Sequence, residues 1–317
     1  MELEKVFLTG KYSNQVSELK IQIKNGNYSI QLVSDANKSN LYLSIDLIDP
    51  IFLNNSMNHS IYKVLIRQEP EIVLPQTYME KNIINYDYII DIGKPKSHDR
   101  NVLNWPQDLS SYLKNPKTKN STVVIVNSNL LSLVRGENYS LRRQAIKNIK
   151  DLDLYGYQWN NSFCKKLHTL FIELKKNIFN VNILKINGIR YYFRYFSNYL
   201  GEVEDKRAVL SMYNFCLVIE NSSEYLSEKF FDALLSGCIP IYIGPDLSMY
   251  EIPSSLYLQA QPNIDDIRSK IDEAKMINYE EWKENLNIWL ADSKTHQSWS
   301  KDLFLSKIIN MLQNDYQ

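Results

Sequence analysis

The 317-residue sequence is poor in cysteine and glycine and carries no net charge. The three cysteines, Cys164, Cys216 and Cys238, have no recognisable spacing for a metal site or a disulfide framework, which fits a reducing compartment. Lysine plus arginine equals aspartate plus glutamate at 36 each, so no global positive field argues for nucleic acid. These shortages indicate a protein of a reducing compartment without a nucleic-acid partner.

Long apolar runs and the common nucleotide motifs are absent as well. No stretch approaches the roughly eighteen uninterrupted apolar residues of a membrane span, and the N-terminus lacks the apolar core of a signal peptide. We therefore expect a cytoplasmic protein without a membrane anchor. Neither a Walker motif nor a GxGxxG fingerprint occurs, which argues against an ATPase and against a dehydrogenase.

What is present suits two globular α/β domains, because a chain of this length exceeds one ordinary core. Residues 1–100 alternate short apolar runs with turn-like polar segments, which predicts several strands. The polar segment at residues 114–120 is typical of an interdomain linker, and the apolar run at residues 122–126 would begin the second domain. A helix is predicted at residues 139–149, and its apolar face would be formed by Leu141, Ala145, Ile146 and Ile149.

The most informative stretch runs from Phe215 to Pro245. Apolar runs at residues 215–219 and 239–243 predict two buried strands. Between them, Ser227 and Gly237 are suited to cap the start and the end of a helix of about ten residues. In such strand–helix–strand units, ligands bind where strands end and helices begin, because free N–H groups and the helix dipole favour anions there.

Five polar side chains fall at that position, and a purely structural loop seldom needs so many. They are Glu220, Asn221, Tyr225, Glu228 and Lys229. Glu228 would repel a leaving anion, so it is better suited to accept hydrogen bonds from two ribose hydroxyls. Asn221 and Tyr225 can donate to phosphate or sugar oxygens. Glu220 either braces the loop or meets the sugar ring, and the sequence does not choose between these roles.

The same stretch carries a family resemblance. Its run Phe-x-Leu-x-x-Glu-Asn-Ser, followed by Tyr-x-Ser-Glu-Lys-x-x-Asp-Ala-x-x-x-Gly-x-Ile-Pro-Ile, closely resembles the donor-site signature of the α1,3/1,4-fucosyltransferases. The resemblance implies an α/β fold of the GT-B type, in which two Rossmann-like domains face a cleft. It also implies an inverting transfer of L-fucose from GDP-β-L-fucose to a glycan hydroxyl, and the ribose role of Glu228.

The resemblance extends the candidate site beyond the signature. In the family an arginine on the first helix of the second domain reaches the donor pyrophosphate; Arg142 matches it by position, and Arg143 is the alternative. In the family, a Glu-containing segment flanked by proline holds the proposed catalytic base. In this sequence Glu69 matches that glutamate best, and Glu71 is the reserve candidate. Lys229 and Arg142 would then stabilise the charge that grows on the departing diphosphate.

The sequence also contains an Asp-x-Asp motif at residues 151–153. In metal-dependent glycosyltransferases this motif needs an exposed loop, where two carboxylates can hold a divalent cation on the diphosphate. Here leucines alternate with the acids, as is typical of a strand edge. We therefore expect no metal site and no cofactor besides the donor substrate GDP-fucose.

The resemblance gives each part of the chain a role. Residues 1–118 would bind the acceptor, residues 119–296 would bind the nucleotide sugar, and a helix predicted at 299–312, within residues 297–317, would pack back toward the first domain. The expected acceptor is an oligosaccharide or lipid-linked glycan, fucosylated α1,3 or α1,4 on a GlcNAc-containing bacterial surface glycan such as the O-antigen of lipopolysaccharide. Basic and aromatic residues between 161 and 200 leave peripheral association with the inner membrane face open.

Two other interpretations remain open at this stage. The same fold could use a different GDP-sugar as donor. A member of the family without a catalytic base could instead bind a nucleotide sugar within a glycan assembly complex. The weak local pattern around Glu69 is the feature that keeps this second alternative open.

Overall fold

A computed structural model describes residues 5–10, 31–53, 60–95, 101–112, 120–176 and 186–314. The chain divides into two compact units. One is formed by Met1–Pro106 together with Trp299–Gln317, and the other by Gln107–Ser298. The linker predicted at residues 114–120 lies, except for its last residue, outside the described residues, as does the predicted domain boundary between residues 118 and 119.

Within the described ranges, the first unit is built on a parallel sheet of six strands in the order β2-β1-β3-β4-β5-β6. Its strands are β1 Lys5–Gly10, β2 Gln31–Leu32, β3 Leu41–Ile45, β4 Tyr62–Arg67, β5 Tyr88–Ile92 and β6 Val102–Leu103. Every residue of β3 is buried and the middle of β4 is buried too. Such continuous burial is what a parallel sheet covered on both faces requires, and it explains the unbroken apolar runs in the sequence.

The second unit carries another parallel sheet of six described strands, in the order β12-β11-β10-β7-β8-β9. Its strands are β7 Asn120–Val126, β8 Leu152–Tyr155, β9 Tyr199–Gly201, β10 Tyr213–Ile219, β11 Ile239–Ile243 and β12 Leu258–Gln259. The sheet grows from β7 toward β9 and then, from β10, in the opposite direction. The carboxyl ends of β7 and β10 therefore meet at a topological switch point, where open α/β sheets bind ligands.

The α-helices connect and cover these strands. They are α1 Pro50–Leu53, α2 Glu80–Ile83, α3 Tyr139–Asn148, α4 Phe163–Lys176, α5 Ile186–Tyr192, α6 Lys206–Leu210, α7 Glu228–Leu235, α8 Ile264–Ala274, α9 Tyr279–Ala291, α10 Ser293–Trp299 and α11 Phe304–Asn314. In the first unit, Ile308 of α11 packs in one buried cluster with Val64 of β4 and Ile90 of β5.

The strand–helix–strand unit at the centre of the prediction is confirmed. Its two predicted strands correspond to β10 and β11, and the helix between them is α7, slightly shorter than expected. The hydroxyl of Ser227 accepts a hydrogen bond from the backbone N–H of Lys229, so Ser227 is the N-cap. Gly237 follows the helix with φ +72°, the left-handed conformation that glycine adopts without strain.

The single helix predicted at residues 299–312 is wrong. The chain forms α10 up to Trp299, a 3-10 turn at Lys301–Leu303, and then α11. The break has a local cause, because Ser300 is extended and its hydroxyl accepts a hydrogen bond from the N–H of Asp302. Serine thus acts as an N-cap inside a segment whose apolar pattern alone favours one helix.

Candidate functional site

The loop between β10 and α7 begins at the switch point of the second sheet with a buried carboxylate. Glu220 has no exposed surface. Its oxygens accept hydrogen bonds from the N–H of Ser227 at 2.9 Å and from the Ser227 hydroxyl at 2.6 Å, and the ammonium of Lys229 lies 3.4 Å from Oε2. Glu220 therefore contacts the residues that a brace of the loop would contact, which is one of the two roles that the sequence left open for it.

Glu228 and Lys229 present charge at the start of α7. The Lys229 ammonium donates to the Ser227 hydroxyl at 2.9 Å and lies 3.8 Å from Oε1 of Glu228. The side chain of Lys229 is 17% exposed and that of Glu228 is 40% exposed. Burial would raise the pKa of Glu228, but Lys229, Lys206 and hydrogen bonds from its own backbone N–H and from Ser227 together lower it. Glu228 is therefore an ionised acceptor at neutral pH.

Arg142 joins this loop from α3. Its Nη2 donates to the carbonyl oxygen of Ile219 at 2.7 Å and to Oδ1 of Asn221 at 3.2 Å. Arg142 is only 2% exposed, and burial lowers its pKa. The two cations of the prediction, Arg142 and Lys229, are thus brought to the same strand end, with Arg142 beneath the loop and Lys229 at its surface.

Arg143 lies elsewhere. Its Nη1 donates to the carbonyl oxygen of Leu130 at 2.7 Å, and its guanidinium lies over the ring of Tyr192. Burial lowers the pKa of Arg143 to about 10, against the opposing effect of Glu137. Neither arginine of α3 is a surface residue, and the predicted apolar face is incomplete because both guanidiniums are buried beside Ala145 and Ile146.

Asn221 and Tyr225 complete the layer beneath the loop. Nδ2 of Asn221 donates to the Tyr225 hydroxyl at 2.9 Å, and the Asn221 carbonyl accepts from the N–H of Asn138 at 2.9 Å. Tyr225 is 2% exposed. Arg142, Asn221 and Tyr225 therefore support the loop from below, whereas Glu228 and Lys229 offer accessible charge.

Two residues that the sequence analysis did not single out shape this region. Glu137 is buried, and its Oε2 accepts a hydrogen bond from the N–H of Ser140, which caps the start of α3. An acid directly before a predicted helix is the signal that could have identified it. Gly244 follows β11, and a Cβ there would come within 2.3 Å of the Tyr242 hydroxyl and 2.9 Å of Cγ of Glu220. Only glycine leaves room for the buried Glu220.

In the first unit, Glu69 follows β4 and its backbone is fixed from two sides. Its N–H donates to Oδ1 of Asp46 at 3.3 Å, and its carbonyl accepts from the Tyr78 hydroxyl at 3.1 Å. Glu69 is half-buried, while Glu71 is exposed. Asp46 and Tyr78 were not predicted, because they reach Glu69 from other segments of the chain.

A group of charges surrounds Tyr78. Arg67 lies 4.2 Å above its ring and forms a bidentate pair with Asp91, at 2.6 and 2.8 Å, and Lys94 also contacts Asp91. Burial, followed by the charge of Asp91, raises the pKa of Tyr78. The hydroxyl therefore stays protonated and remains a donor to the Glu69 carbonyl.

The Asp-x-Asp motif lies at the start of β8. Asp151 precedes the strand with φ +57°, and Asp153 lies on it and accepts a hydrogen bond from the Tyr213 hydroxyl at 2.8 Å. Among the described residues, no three histidine, cysteine or acidic side chains come together in a way that could hold a metal ion. All three cysteines are free thiols. Of the helices in the described ranges, none is both long and apolar enough to span a bilayer.

Comparison with known sequences identifies relatives of the second half of the chain. Residues 157–317 match the family model described as glycosyltransferase family 10 (fucosyltransferase), C-terminal part. This range contains the loop from Glu220 to Lys229 but begins after Arg142 and Glu69. Mouse 4-galactosyl-N-acetylglucosaminide 3-alpha-L-fucosyltransferase 9 is 30% identical over 106 residues, which is 32% of this chain. The match spans only 27% of that relative's length.

Solved structures share the fold over nearly the whole chain. An alpha1,3-fucosyltransferase crystallised with GDP is similar with a TM-score of 0.52 and 16% identity, over 98% of this chain and 91% of that one. Anabaena HepE in complex with UDP and glucose has a TM-score of 0.55 and 10% identity, over 98% of this chain and 100% of that one. These likenesses confirm the predicted α/β fold of the GT-B type.

Proposed function

Because the chain belongs to glycosyltransferase family 10, the fucosyltransferases, we propose that it transfers L-fucose from GDP-β-L-fucose to a glycan hydroxyl. The observation that carries this proposal is the position of Lys229. Its ammonium is oriented by Ser227 and Glu220 at the start of α7, beside the switch point of a parallel sheet. A fixed cation at a helix start suits a nucleotide diphosphate. A solved structure of the same fold contains GDP.

In this proposal the leaving diphosphate is stabilised by protein cations, without a metal. As the glycosidic bond breaks, negative charge grows on the β-phosphate, and the partly exposed ammonium of Lys229 meets it. Arg142 adds its charge from beneath, through the loop residue Asn221 that it holds. Donors of this kind are each worth about 10²–10³ in rate when they act on a developing charge.

The remaining loop residues orient the donor. Glu228 is ionised and 40% exposed, so it can accept hydrogen bonds from both ribose hydroxyls. Asn221 and Tyr225 form the floor beneath the phosphate and sugar oxygens. Glu220 acts on the donor indirectly, by holding the ammonium of Lys229 in place.

Glu69 is the proposed base. It takes the proton from the acceptor hydroxyl while that oxygen attacks the anomeric carbon and GDP departs. A single displacement of this kind inverts the anomeric configuration, so the β-linked donor yields an α-fucoside. The fixed backbone of Glu69 supports this choice over the exposed Glu71, because a general base must be positioned to contribute its usual 10²–10⁴ or so.

We further propose that residues 1–118 bind the acceptor, that residues 119–296 bind the donor, and that residues 297–317 pack back toward the first domain. The acceptor would be a GlcNAc-containing oligosaccharide or lipid-linked glycan of a bacterial surface, such as the O-antigen of lipopolysaccharide, joined α1,3 or α1,4. The name of the mouse relative specifies 3-α-L-fucosyl transfer to a 4-galactosyl-N-acetylglucosaminide, which supports this acceptor class. Three free thiols support a cytoplasmic location, with peripheral association at the inner membrane face as an extension of the proposal.

The test is incubation with labelled GDP-fucose and a panel of Gal-GlcNAc glycans. We expect transfer to at least one glycan, with an α-anomeric proton in the NMR spectrum of the product. If neither transfer of fucose nor its release from GDP-fucose is detected, the proposal is overturned.

A different nucleotide sugar is the second candidate donor, because a protein of the same fold binds UDP and glucose. Thermal unfolding with GDP, UDP and several GDP-sugars distinguishes the candidates, since at equal concentration the ligand that binds the folded state more tightly raises Tm more. A larger shift with UDP than with GDP would favour the second candidate.

A further inference from the structure

Helix α7 places two carboxylates one turn apart on the same face. Glu228 and Asp232 are four residues apart, and like charges at this spacing destabilise a helix. Lys206, the first residue of α6, contacts both. Its ammonium lies 2.8 Å from Oδ2 of Asp232 and 3.8 Å from Oε1 of Glu228. A lysine from a different helix therefore joins the two acids.

Lys206 is held in place by residues around it. Asp232 is also bound by Nε of Arg207 at 3.2 Å, and the guanidinium of Arg207 donates to the hydroxyl of Ser111. The side chain of Asp205 accepts from the N–H of Ala208 and caps α6 directly before Lys206. Asp232, bound by two cations, thus anchors the ammonium of Lys206.

The exposed fraction of these charged side chains increases from Asp232 through Lys206 to Glu228. The side chain of Asp232 is 13% exposed, that of Lys206 is 36% exposed and that of Glu228 is 40% exposed. If these charges only stabilised the packing of α6 on α7, none of them would need to contact a carboxylate that is accessible to solvent. The network ends on the side chain that a ligand can contact, and the cations at that end lower the pKa of Glu228.

We propose that Lys206, anchored by Asp232, is a positioning residue that fixes the Glu228 carboxylate for the ribose hydroxyls of the bound nucleotide. This inference rests on the proposed function, in which Glu228 binds the ribose. It differs from a phosphate contact, because its effect on affinity must vanish when the ribose hydroxyls are removed and the diphosphate is kept. It also differs from a purely structural ion pair, because its effect must depend on the ribose hydroxyls.

The test measures the dissociation constants of GDP and of 2′,3′-dideoxy-GDP by calorimetry. We expect the wild-type protein to bind GDP more tightly than the dideoxy analogue. Lys206→Met should weaken GDP binding about tenfold, the size of a lost hydrogen bond to a charged group, and leave the dideoxy affinity unchanged. Lys206→Arg, which keeps the cation, should restore most of the preference for GDP.

Matched controls separate the possible outcomes. Lys270→Met removes another paired lysine of the second unit, 2.6 Å from Glu273, and should change neither affinity. Equal weakening of both nucleotides by Lys206→Met would overturn the inference, as would an unchanged preference for GDP. If Lys206→Met does not fold, Asp232→Asn is measured with the same two nucleotides and must lower the preference for GDP. A wild-type protein that binds both nucleotides equally would overturn the ribose role of Glu228 itself, and this inference with it.

Discussion

In each unit, one segment follows the carboxyl end of a central parallel strand, and the two segments hold their polar residues in different ways. After β10, Glu220 contacts Ser227 and Lys229, which are seven and nine residues away in the same loop. After β4, Glu69 is held by Asp46, which is 23 residues away, and by Tyr78. In the first segment Glu220 is paired with a cation of the same segment, whereas Glu69 is held through main-chain atoms by residues of other segments.

This difference separates stability from catalysis. In the loop after β10, removal of one charged group leaves a buried partner without its counter-charge, so activity and stability should fall together. At Glu69 the contacts to Asp46 and Tyr78 use main-chain atoms of Glu69, and they survive a change of its side chain. Substitutions at Glu69 should therefore affect the reaction and leave these two main-chain contacts in place.

The largest expected effect is at Glu69. Glu69→Gln should lower kcat by about 10²–10⁴, because the proposed base is lost, and should leave GDP affinity unchanged. Initial rates with GDP-fucose and calorimetry with GDP measure the two quantities. Glu71→Gln is the matched variant and should keep near wild-type kcat. A large loss in Glu71→Gln instead would transfer the base to that residue.

Lys229→Ala should lower turnover of GDP-fucose by about 10²–10³, and stability should fall with it. The buried Glu220 would lose its cation, and a loss of about 1–3 kcal/mol in the free energy of unfolding should follow, with the fold retained. Rates and urea unfolding test both effects. Lys270→Ala breaks the exposed pair with Glu273 and should cost at most about 1 kcal/mol without loss of turnover. Normal turnover in Lys229→Ala would refute the donor site.

The contrast between the two segments also explains what the sequence could predict. A buried parallel strand is a continuous apolar run, and a serine cap followed by a helix and a glycine is local, so β10, α7 and β11 were predictable from neighbouring residues. The charged residues of that loop are contiguous for the same reason. The polar side chains of the loop between β10 and α7 could therefore be identified from one segment of the sequence.

The parts that could not be predicted depend on distant contacts. Arg142 is buried because it binds Ile219, 77 residues away, and no helical periodicity shows such a partner. Because a hydrophobic pattern places arginine on the solvent-facing side of a helix, the buried face of α3 was predicted incompletely. Asp46 and Tyr78 support Glu69 only once β3 and β4 are paired. A proline-flanked acid gives no sequence signal of such support.

Substitutions of the two arginines of α3 are expected to affect different properties of the second unit. Arg142→Lys removes the Nη2 group that donates to both Ile219 and Asn221 and should weaken GDP binding about tenfold. Arg143→Lys loses the bond to Leu130 and should cost about 1–3 kcal/mol of stability with GDP affinity retained. Calorimetry and urea unfolding of both variants test this. The opposite pattern would assign the donor role to Arg143.

Two tyrosines test whether main-chain support matters at Glu69. Tyr78→Phe removes the hydroxyl that binds the Glu69 carbonyl and should lower kcat severalfold, with a stability loss of about 1 kcal/mol. Tyr86→Phe removes an equivalent bond to the carbonyl of Leu47 at 3.0 Å and should cost similar stability without changing kcat. Equal kcat values for the two variants would show that the Glu69 backbone needs no such support.

The smallest effect concerns pH and Glu228. Because Lys229 and Lys206 lower the pKa of Glu228 in the folded state, its charge stabilises the fold above its usual pKa, and this contribution is lost as pH falls through the lowered value. The side chain is 40% exposed, so solvent screening limits the contribution to about 0.2–1 kcal/mol. The free energy of unfolding of Glu228→Gln should therefore lie below that of the wild-type protein at neutral pH and converge with it in acid. A difference that stays constant down to pH values well below the ordinary glutamate pKa would mean that the two lysines do not act on Glu228.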